Sequence, residues 1–233
     1  MSMASVDDIR IEHDEGYLKS QYQQKPDDYF HGARTDFIDA LPEAPDARLL
    51  EVGCGLGATG ALALKHGRAG HYTGIELDRR AAEEARKTLN EVQVGNVEEM
   101  DFNWAPSSFD GLILSEVLEH LIDPWTVMKR LAPLVRPGGL VLASSPNVSH
   151  YSIIAEQMKG HWNLTDQGVM DRTHMRWFTP ATFRALFEDA GFEVESIKPL
   201  VPFGSKARLI SRLSANKLDH LFMRQIVVIG RRT

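Results

Sequence analysis

Short apolar runs alternate with amphipathic stretches along most of the chain. The amphipathic stretches predict helices over 58–66, 79–90, 125–135, 180–190 and 206–223. Strands are predicted over 48–52, 71–76, 91–94, 109–114, 140–144, 192–197 and 225–230. Strands and helices that alternate at this spacing indicate right-handed crossovers and therefore an α/β fold with a parallel, doubly wound sheet. Ligands of such sheets bind beyond the carboxyl ends of the strands.

Two dipeptides mark where helices begin. Asp123-Pro124 and Thr179-Pro180 each offer a side-chain oxygen for a helix N-cap, followed by a proline at the first helical position. Gly191 then suits the left-handed residue that ends the second of these helices.

The segments outside this alternation predict two additions to the core. Residues 1–45 are polar with aromatic points and predict an N-terminal helical arm, which leaves 46–233 as the main domain. Residues 147–178 follow the fifth strand and are long for an unbroken loop, which is typical of a lid or of inserted helices. We therefore expect the substrate to contact the lid.

Composition places the chain among ordinary globular proteins. Its 233 residues are 43% hydrophobic and 25% charged, and the net charge of −6 makes nucleic acid an unfavourable partner. Cys54 is the only cysteine, so the chain can form neither an internal disulfide nor a cysteine-based zinc cluster. The polar, acidic first residues do not resemble a signal peptide, and no apolar run is long enough for a membrane span. We expect a cytoplasmic protein.

A glycine-rich loop follows the first predicted strand. Gly53, Gly55 and Gly57 stand where a strand must turn sharply into a helix and let a ligand approach the backbone. Gly55, Gly57 and Gly60 also satisfy the dinucleotide pattern G-x-G-x-x-G. A nicotinamide-dependent oxidoreductase is therefore one alternative.

Two acidic residues favour a different ligand for this loop. Glu51 lies at the end of the first strand, where a carboxylate favours a ligand with an ammonium group over a pyrophosphate. S-adenosylmethionine carries such a group. Glu76 closes the second strand, where it can accept hydrogen bonds from both hydroxyls of a ribose.

Four segments in order carry a family resemblance: L-L-E-V-G-C-G-L-G, G-I-E-L-D, F-D-G-L-I-L-S-E-V-L-E-H and R-P-G-G-L-V-L-A-S-S-P-N. From about Tyr29 onwards the chain resembles the class I S-adenosylmethionine-dependent methyltransferases. The resemblance implies a Rossmann-like, seven-stranded sheet whose last strand is antiparallel. Asn96 stands where many members have Asp, although an amide oxygen can also accept from adenine. The cofactor contacts that the resemblance implies are Glu51, Gly53, Cys54, Gly55, Glu76, Leu77, Asn96, Val97 and Ser115.

The segment Glu116-Val117-Leu118-Glu119-His120 resembles the E-x-x-E-H motif of a subgroup. This subgroup includes ubiquinone-pathway O-methyltransferases and enzymes that 2′-O-methylate the ends of small RNAs. In the RNA enzymes, two Glu and two His hold a divalent cation that grips the 2′- and 3′-hydroxyls, the second His coming from a downstream stretch that His174-Met175-Arg176-Trp177-Phe178-Thr179 resembles. The resemblance thus implies Glu116, Glu119, His120 and His174 as ligands of a divalent cation such as Mg²⁺ or Mn²⁺.

The same residues suit the activation of an alcohol. A cation bound to a hydroxyl lowers its pKa and orients its oxygen toward the methyl group. In the metal-free alternative, His120 is the general base, with Glu119 and His174 beside it. In a third alternative, the two glutamates form a solvated helix face and His174 is a hydrogen-bonded lid residue.

The acceptor is expected to be a small molecule or a glycan. The segment D-R-T-H-x-R-x-F-T after S-S-P-N resembles methyltransferases of bacterial polysaccharide pathways. The lid residues Trp162 and Trp177 either suit a sugar or close a small core within the lid itself. We therefore predict an O-methyltransferase that acts on a sugar or another vicinal diol. The alternatives are a catechol or quinone precursor, which needs an apolar aromatic slot, and an RNA end. Homodimerisation through the arm or the lid stays open.

Overall fold

The computed structural model describes residues 32–233 and contains one seven-stranded sheet with helices on both faces. The elements in chain order are α1 (Thr35–Ala40), β1 (Arg48–Val52), α2 (Ala58–Lys65), β2 (His71–Glu76), α3 (Arg79–Ala85), β3 (Glu91–Val94), β4 (Phe109–Ser115), α4 (Pro124–Leu131), β5 (Val135–Pro146), α5 (Tyr151–Met158), α6 (Pro180–Asp189), β6 (Phe192–Pro199), α7 (Ser205–Leu213) and β7 (Gln225–Arg232). Three short 3₁₀ helices lie at Leu118–His120, Ala132–Leu134 and Asp219–Leu221.

The strand order is β3-β2-β1-β4-β5-β7-β6. Strands β1 to β5 pair in parallel, whereas β7 lies between β5 and β6 and pairs antiparallel with both. The predicted α/β class, the doubly wound sheet and the antiparallel last strand are all confirmed. The order reverses at β1, so β1 and β4 place their carboxyl ends at the point where such sheets bind ligands.

Burial on both faces explains why these strands are almost continuously apolar. One hydrophobic cluster joins the sheet to α4 and α6 through residues such as Met128, Phe183 and Phe187. A second cluster joins the other face to α1, α2 and α3 through residues such as Phe37, Ala63 and Ala85. The two clusters fix the sheet edge that carries the functional residues.

Both predicted N-caps are present. Asp123 accepts a hydrogen bond from the Thr126 N–H at 3.0 Å at the start of α4. Thr179 accepts from the Thr182 N–H at 3.2 Å and forms a reciprocal capping box at the start of α6.

Three helices are shorter than the pattern predicts. The helix predicted over 79–90 ends at Ala85, and the one predicted over 125–135 ends at Leu131 before a 3₁₀ turn. The helix predicted over 206–223 ends at Leu213, because Ala215 and Asn216 adopt left-handed φ values of 50° and 65°. The predicted extents were wrong for these helices, although their positions were correct.

The arm and the lid meet the core in different ways. Residues 1–31 of the predicted arm lie outside the described residues, while Phe37 of α1 is buried in the core. The two ends of the lid are joined by a parallel bridge between Asn147 and Phe178, and α5 lies between them. The boundary at residue 45 stays a prediction. None of the helices in 32–233 combines the length and the apolar character that crossing a membrane requires.

Candidate functional site

A cavity of about 1170 Å³ opens at the carboxyl ends of the parallel strands. It collects residues from the glycine loop, from the ends of β2 and β4, and from the lid. All the predicted site residues line it, namely Glu51, Gly53, Cys54, Gly55, Glu76, Leu77, Asn96, Val97, Ser115, Glu116, Glu119, His120 and His174.

The glycine loop needs its glycines for both backbone shape and space. Gly53, Gly55 and Gly57 have φ values of 71°, 53° and 81°, which other L-residues rarely adopt. A Cβ atom on Gly53 would lie 2.4 Å from Cγ2 of Val117, so a larger residue would also collide there. Gly53 and Gly55 of this loop line the cavity, whereas Gly57 is buried.

Glu51 is a buried carboxyl group at the end of β1. Its Oε2 accepts a hydrogen bond from the Tyr72 hydroxyl at 2.9 Å, and only 2% of the residue is exposed. Burial raises the pKa of Glu51 to about 8, and the charge of Glu76 acts in the same direction. A cationic group bound in the cavity would favour the ionised form of Glu51 and so lower its pKa.

Glu76 joins the glycine loop to the end of β2. Its two oxygens accept hydrogen bonds from the backbone N–H groups of Gly55 at 2.8 Å and Asp78 at 2.9 Å. Burial raises the pKa of Glu76 even though these bonds act to lower it. Each carboxylate oxygen keeps a second acceptor site, so the predicted ribose contact is compatible with the bonds already made.

Three of the remaining predicted cofactor contacts, Asn96, Val97 and Cys54, lie at two places in the cavity wall. Asn96 and Val97 follow β3, and the Asn96 side-chain oxygen accepts from the Glu98 N–H at 3.0 Å. This oxygen keeps a second acceptor site, so the contact with adenine is compatible with the bond already made and stays a prediction. Burial raises the pKa of Cys54, so its thiol is protonated and serves packing beneath the loop rather than chemistry.

Arg34 is a site residue that the sequence analysis missed. Its Nη1 donates to the Ser115 hydroxyl at 2.7 Å and to the Ser144 hydroxyl at 2.5 Å, while Nε and Nη2 bind both oxygens of Asp36 at 2.8 Å. The guanidinium also lies 3.9 Å from the ring centroid of Phe37. Arg34 thus places in the cavity wall a guanidinium whose charge is paired with the Asp36 carboxylate. Nothing in the polar stretch around it signals this role.

Glu116 lies beside this network. It has a left-handed φ of 52°, and its Oε1 accepts from the Ser144 hydroxyl at 2.6 Å. Residues 116 and 117 are irregular and lead into the 3₁₀ helix Leu118–His120.

Glu119, His120 and His174 form a compact cluster in the cavity wall. One ligand atom from each lies within 4.8 Å of the others, and all three residues are buried. The two imidazole rings meet edge to face with centroids 4.8 Å apart. Three of the four predicted metal ligands therefore converge, whereas Glu116 lies outside this cluster.

Backbone carbonyls fix the orientation of both imidazoles. His120 Nδ1 lies 3.2 Å from the Thr173 carbonyl oxygen, and His174 Nδ1 lies 3.1 Å from that of Val169. A carbonyl oxygen only accepts, so in each case Nδ1 is the protonated nitrogen. In the neutral rings Nε2 then carries the lone pair, which suits either a cation ligand or a base.

The Glu119 carboxylate has unusual surroundings. Both of its oxygens are buried, and no donor among the described residues bonds to either. Burial raises the pKa of Glu119 well above its ordinary value, and the charge of Glu116 adds to this. The Ser145 hydroxyl lies close enough to lower this pKa but not in hydrogen-bonding geometry. Buried, unsatisfied carboxylate oxygens beside two imidazoles fit a divalent cation.

The lid completes the cluster through backbone hydrogen bonds. The N–H groups of Met175 and Arg176 donate to the Glu119 carbonyl oxygen at 2.8 and 3.0 Å. The Arg176 guanidinium also donates to the Ile122 carbonyl oxygen. These bonds hold the segment that carries His174 against the 3₁₀ helix that carries His120.

The lid tryptophans take the packing role, one of the two roles that the sequence leaves open for them. Trp162 and Trp177 pack edge to face with ring centroids 5.2 Å apart. Neither is among the described residues that line the cavity. The lining of the cavity instead includes the apolar residues Val117, Val169 and Val201.

Sequence comparisons agree with this geometry. Residues 22–197 match a family model described as a methyltransferase domain. A ubiquinone biosynthesis O-methyltransferase of Xanthomonas axonopodis pv. citri is 29% identical over 208 residues, covering 84% of each chain. The same-named protein of Xanthomonas euvesicatoria pv. vesicatoria is 28% identical over 208 residues, again covering 84% of each.

Solved structures share the fold at lower identity. An S-adenosylmethionine-dependent methyltransferase from Archaeoglobus fulgidus has a TM-score of 0.63 at 18% identity and covers 94% of this chain and 100% of its own. One from Mesorhizobium loti has a TM-score of 0.59 at 18% identity, covering 84% and 96%.

Proposed function

Because this chain belongs to the methyltransferase-domain family and is an S-adenosylmethionine-dependent methyltransferase, we propose that it methylates a hydroxyl group of a catechol-type acceptor. Family membership removes the nicotinamide-dependent oxidoreductase alternative. The observation that carries the proposal is the buried cluster of Glu119, His120 and His174 in the wall of the cavity.

The methionine part of the donor carries an ammonium group and a carboxylate, and the cavity offers each of them a group of opposite charge. The Glu51 carboxylate suits the ammonium group, and the Arg34 guanidinium suits the carboxylate. The carboxylate of Glu76 would accept from the ribose hydroxyls. These three residues orient the donor, whose sulfonium supplies an electrophilic methyl group without further activation.

Glu119, His120 and His174 would hold a divalent cation through one carboxylate oxygen and two Nε2 atoms. A mixed set of one oxygen and two nitrogens suits Mn²⁺, Fe²⁺, Co²⁺ or Zn²⁺ better than Mg²⁺. A cation bound there supplies Lewis acidity, which lowers the pKa of a hydroxyl and favours its ionised form. The metal-free alternative assigns the hydroxyl proton to His120 Nε2 as a base.

Two observations support this acceptor class. Val117, Val169 and Val201 provide apolar surface in the lining of the cavity, and the two relatives described above are named for O-methylation in ubiquinone biosynthesis. The predicted sugar acceptor has less support, because Trp162 and Trp177 pack against each other away from the cavity wall. The net charge of −6 disfavours an RNA end.

An acceptor comparison tests this proposal. The protein is incubated with S-adenosylmethionine and with catechol, resorcinol or a methyl glycoside that has a vicinal cis-diol, and the released S-adenosylhomocysteine is measured. We expect turnover with catechol and little with resorcinol, whose hydroxyls are too far apart to share one cation. Turnover of the glycoside alone would restore the sugar prediction.

Cation binding is tested separately by calorimetry on chelator-treated protein titrated with Mn²⁺. We expect E119Q, H120A and H174A each to reduce the affinity by about a hundredfold or more. E116Q is the matched control, because the Glu116 carboxylate bonds Ser144 outside the cluster, and we expect a much smaller loss. Unchanged affinity in all four variants would leave His120 as a metal-free base.

A further inference from the structure

Helix α7 has its apolar residues on the side away from the protein. Leu209 and Leu213 are one turn apart and therefore share a face, and 59% and 80% of these residues are exposed. Ile210 adjoins this face and is 38% exposed. The residue of α7 that is buried is Ser211, whose hydroxyl bonds the Asn216 side-chain oxygen at 3.1 Å.

This pattern is the reverse of the usual one. A surface helix of a globular protein turns its apolar stripe toward the core and its polar face toward water. Here Ala207 and Ser211 face inward, whereas the three large apolar side chains face outward. An exposed apolar face with charged residues beside it is typical of a surface that binds a membrane or another protein.

The charges around this face restrict what covers it. Residues 205–218 contain Lys206, Arg208, Arg212 and Lys217 but no Asp or Glu, although the whole chain has a net charge of −6. Within residues 32–233, none of these four cations forms an ion pair. Whatever binds this face must therefore offer an apolar region with negative charges next to it.

We propose that α7 lies on the surface of a membrane that contains anionic lipid. An amphipathic helix with leucines on one face and Lys or Arg beside them binds at the boundary between headgroups and acyl chains. Its leucines enter the apolar layer, while the cations meet the negative headgroups. A second protein would need to provide an apolar groove lined by acidic residues, whereas an anionic bilayer has both properties everywhere.

The position of α7 connects this surface to the cavity. Val201 is 74% exposed, lines the cavity and lies four residues before α7 begins. The Phe203 and Phe222 rings, 6.2 Å apart, join the two ends of the segment that contains α7. An acceptor with an apolar portion could thus pass from the bilayer along Val201 into the cavity. This last step rests on the proposed function, but lipid binding by α7 does not.

Vesicle sedimentation of the full chain tests the proposal without donor or acceptor. Vesicles of phosphatidylcholine alone are compared with vesicles that also contain phosphatidylglycerol. We expect binding to the anionic vesicles only, weakened by added salt. R208Q/R212Q and L209Q/L213Q should each reduce the partition coefficient roughly tenfold or more, through lost charge and lost apolar contact respectively.

The control variant is K65Q/K129Q, which removes the same net charge from exposed positions on α2 and α4. It should bind vesicles like the unmodified chain, and circular dichroism should show that all variants are folded. Equal sedimentation with both kinds of vesicle, or equal losses in the control and in R208Q/R212Q, would overturn the proposal. So would a dimer in analytical ultracentrifugation that L209Q/L213Q dissociates while no vesicle binding occurs, since the face would then cover a second copy.

Discussion

At the scale of single residues, the Glu51 carboxyl group links stability to ligand binding. Its pKa is about 8 in the folded protein against an ordinary value of 4.5, so the folded state binds the proton more tightly than the unfolded state. The contribution of Glu51 to the free energy of unfolding therefore has its full value below pH 4.5 and is lost as the pH rises toward 8. The loss is about 1.4 kcal/mol per pH unit within that window.

We expect E51Q to remove this pH dependence. Urea unfolding at pH 5 should show similar free energies for both proteins, whereas at pH 8 E51Q should be the more stable by a few kcal/mol, on the order of two to four. Calorimetry should show that E51Q binds S-adenosylhomocysteine at least roughly tenfold more weakly, because a charge-assisted bond to the ammonium group is lost. If the free energies of unfolding of the two proteins changed with pH in the same way, the raised pKa of Glu51 would be contradicted.

Alanine substitutions at Gly53 and Gly67 distinguish the cost of backbone strain from the cost of a steric clash. Both have left-handed φ values, 71° and 63°, but only Gly53 has a neighbour, Val117, that an added Cβ would strike. G67A should cost about 1 kcal/mol of unfolding free energy from the backbone alone. G53A should cost roughly 2 to 4 kcal/mol, since overpacking adds to it. Equal losses in chemical denaturation would mean that Val117 simply moves aside.

The sequence reveals some site residues and conceals others for a physical reason. Glu51 and Glu76 end strands beside a glycine loop, and the carboxyl ends of parallel strands meet at one edge, so their position could be predicted. Arg34 reaches Ser115 and Ser144, which are 81 and 110 positions away in the chain. No local pattern encodes such a contact, and the polar residues around Arg34 are typical of a solvated segment.

At the scale of secondary structure elements, α6 depends on its N-cap residue, Thr179. Thr179 bonds the Thr182 N–H, and Thr182 in turn bonds the Thr179 N–H at 2.9 Å. T179A should lower the free energy of unfolding by about 1 kcal/mol, while T179S keeps the hydroxyl and should stay close to the unmodified protein. Thermal melts of the two variants check this, and equal losses would place the effect in the methyl group instead.

Element positions could be predicted better than their ends. Asp123-Pro124 and Thr179-Pro180 mark the starts of α4 and α6 because their caps are local. The end of α7 at Leu213 could not be placed, because the left-handed φ of Ala215 carries no signal in an alanine. The inverted face of α7 was also concealed, since periodicity shows that a helix is amphipathic but not which side faces the core.

At the scale of the whole molecule, β7 holds the sheet together. It pairs with β5 at seven positions, from Leu140–Arg231 to Pro146–Gln225, and it separates β5 from β6. A chain that ends at Met223 would leave two long strand edges unpaired and remove Ile226 and Val228 from the core.

We expect this truncated chain to show no cooperative thermal transition by circular dichroism and to aggregate in gel filtration. A chain that ends at Arg232 is the matched control, because it keeps the whole of β7 and should melt like the full chain. A cooperative melt of the shorter chain would show that β1 to β5 fold without β7.

The central place of β7 also has a consequence during protein synthesis. Strands β1 to β6 all leave the ribosome before β7. A nascent chain can therefore assemble β1 to β5, with the glycine loop, while β6 still has no neighbour in the sheet. The edges of β5 and β6 stay open until β7 enters between them. A molecular chaperone that shields strand edges would therefore act on this protein between the synthesis of β6 and that of β7, at the side of the sheet opposite β3.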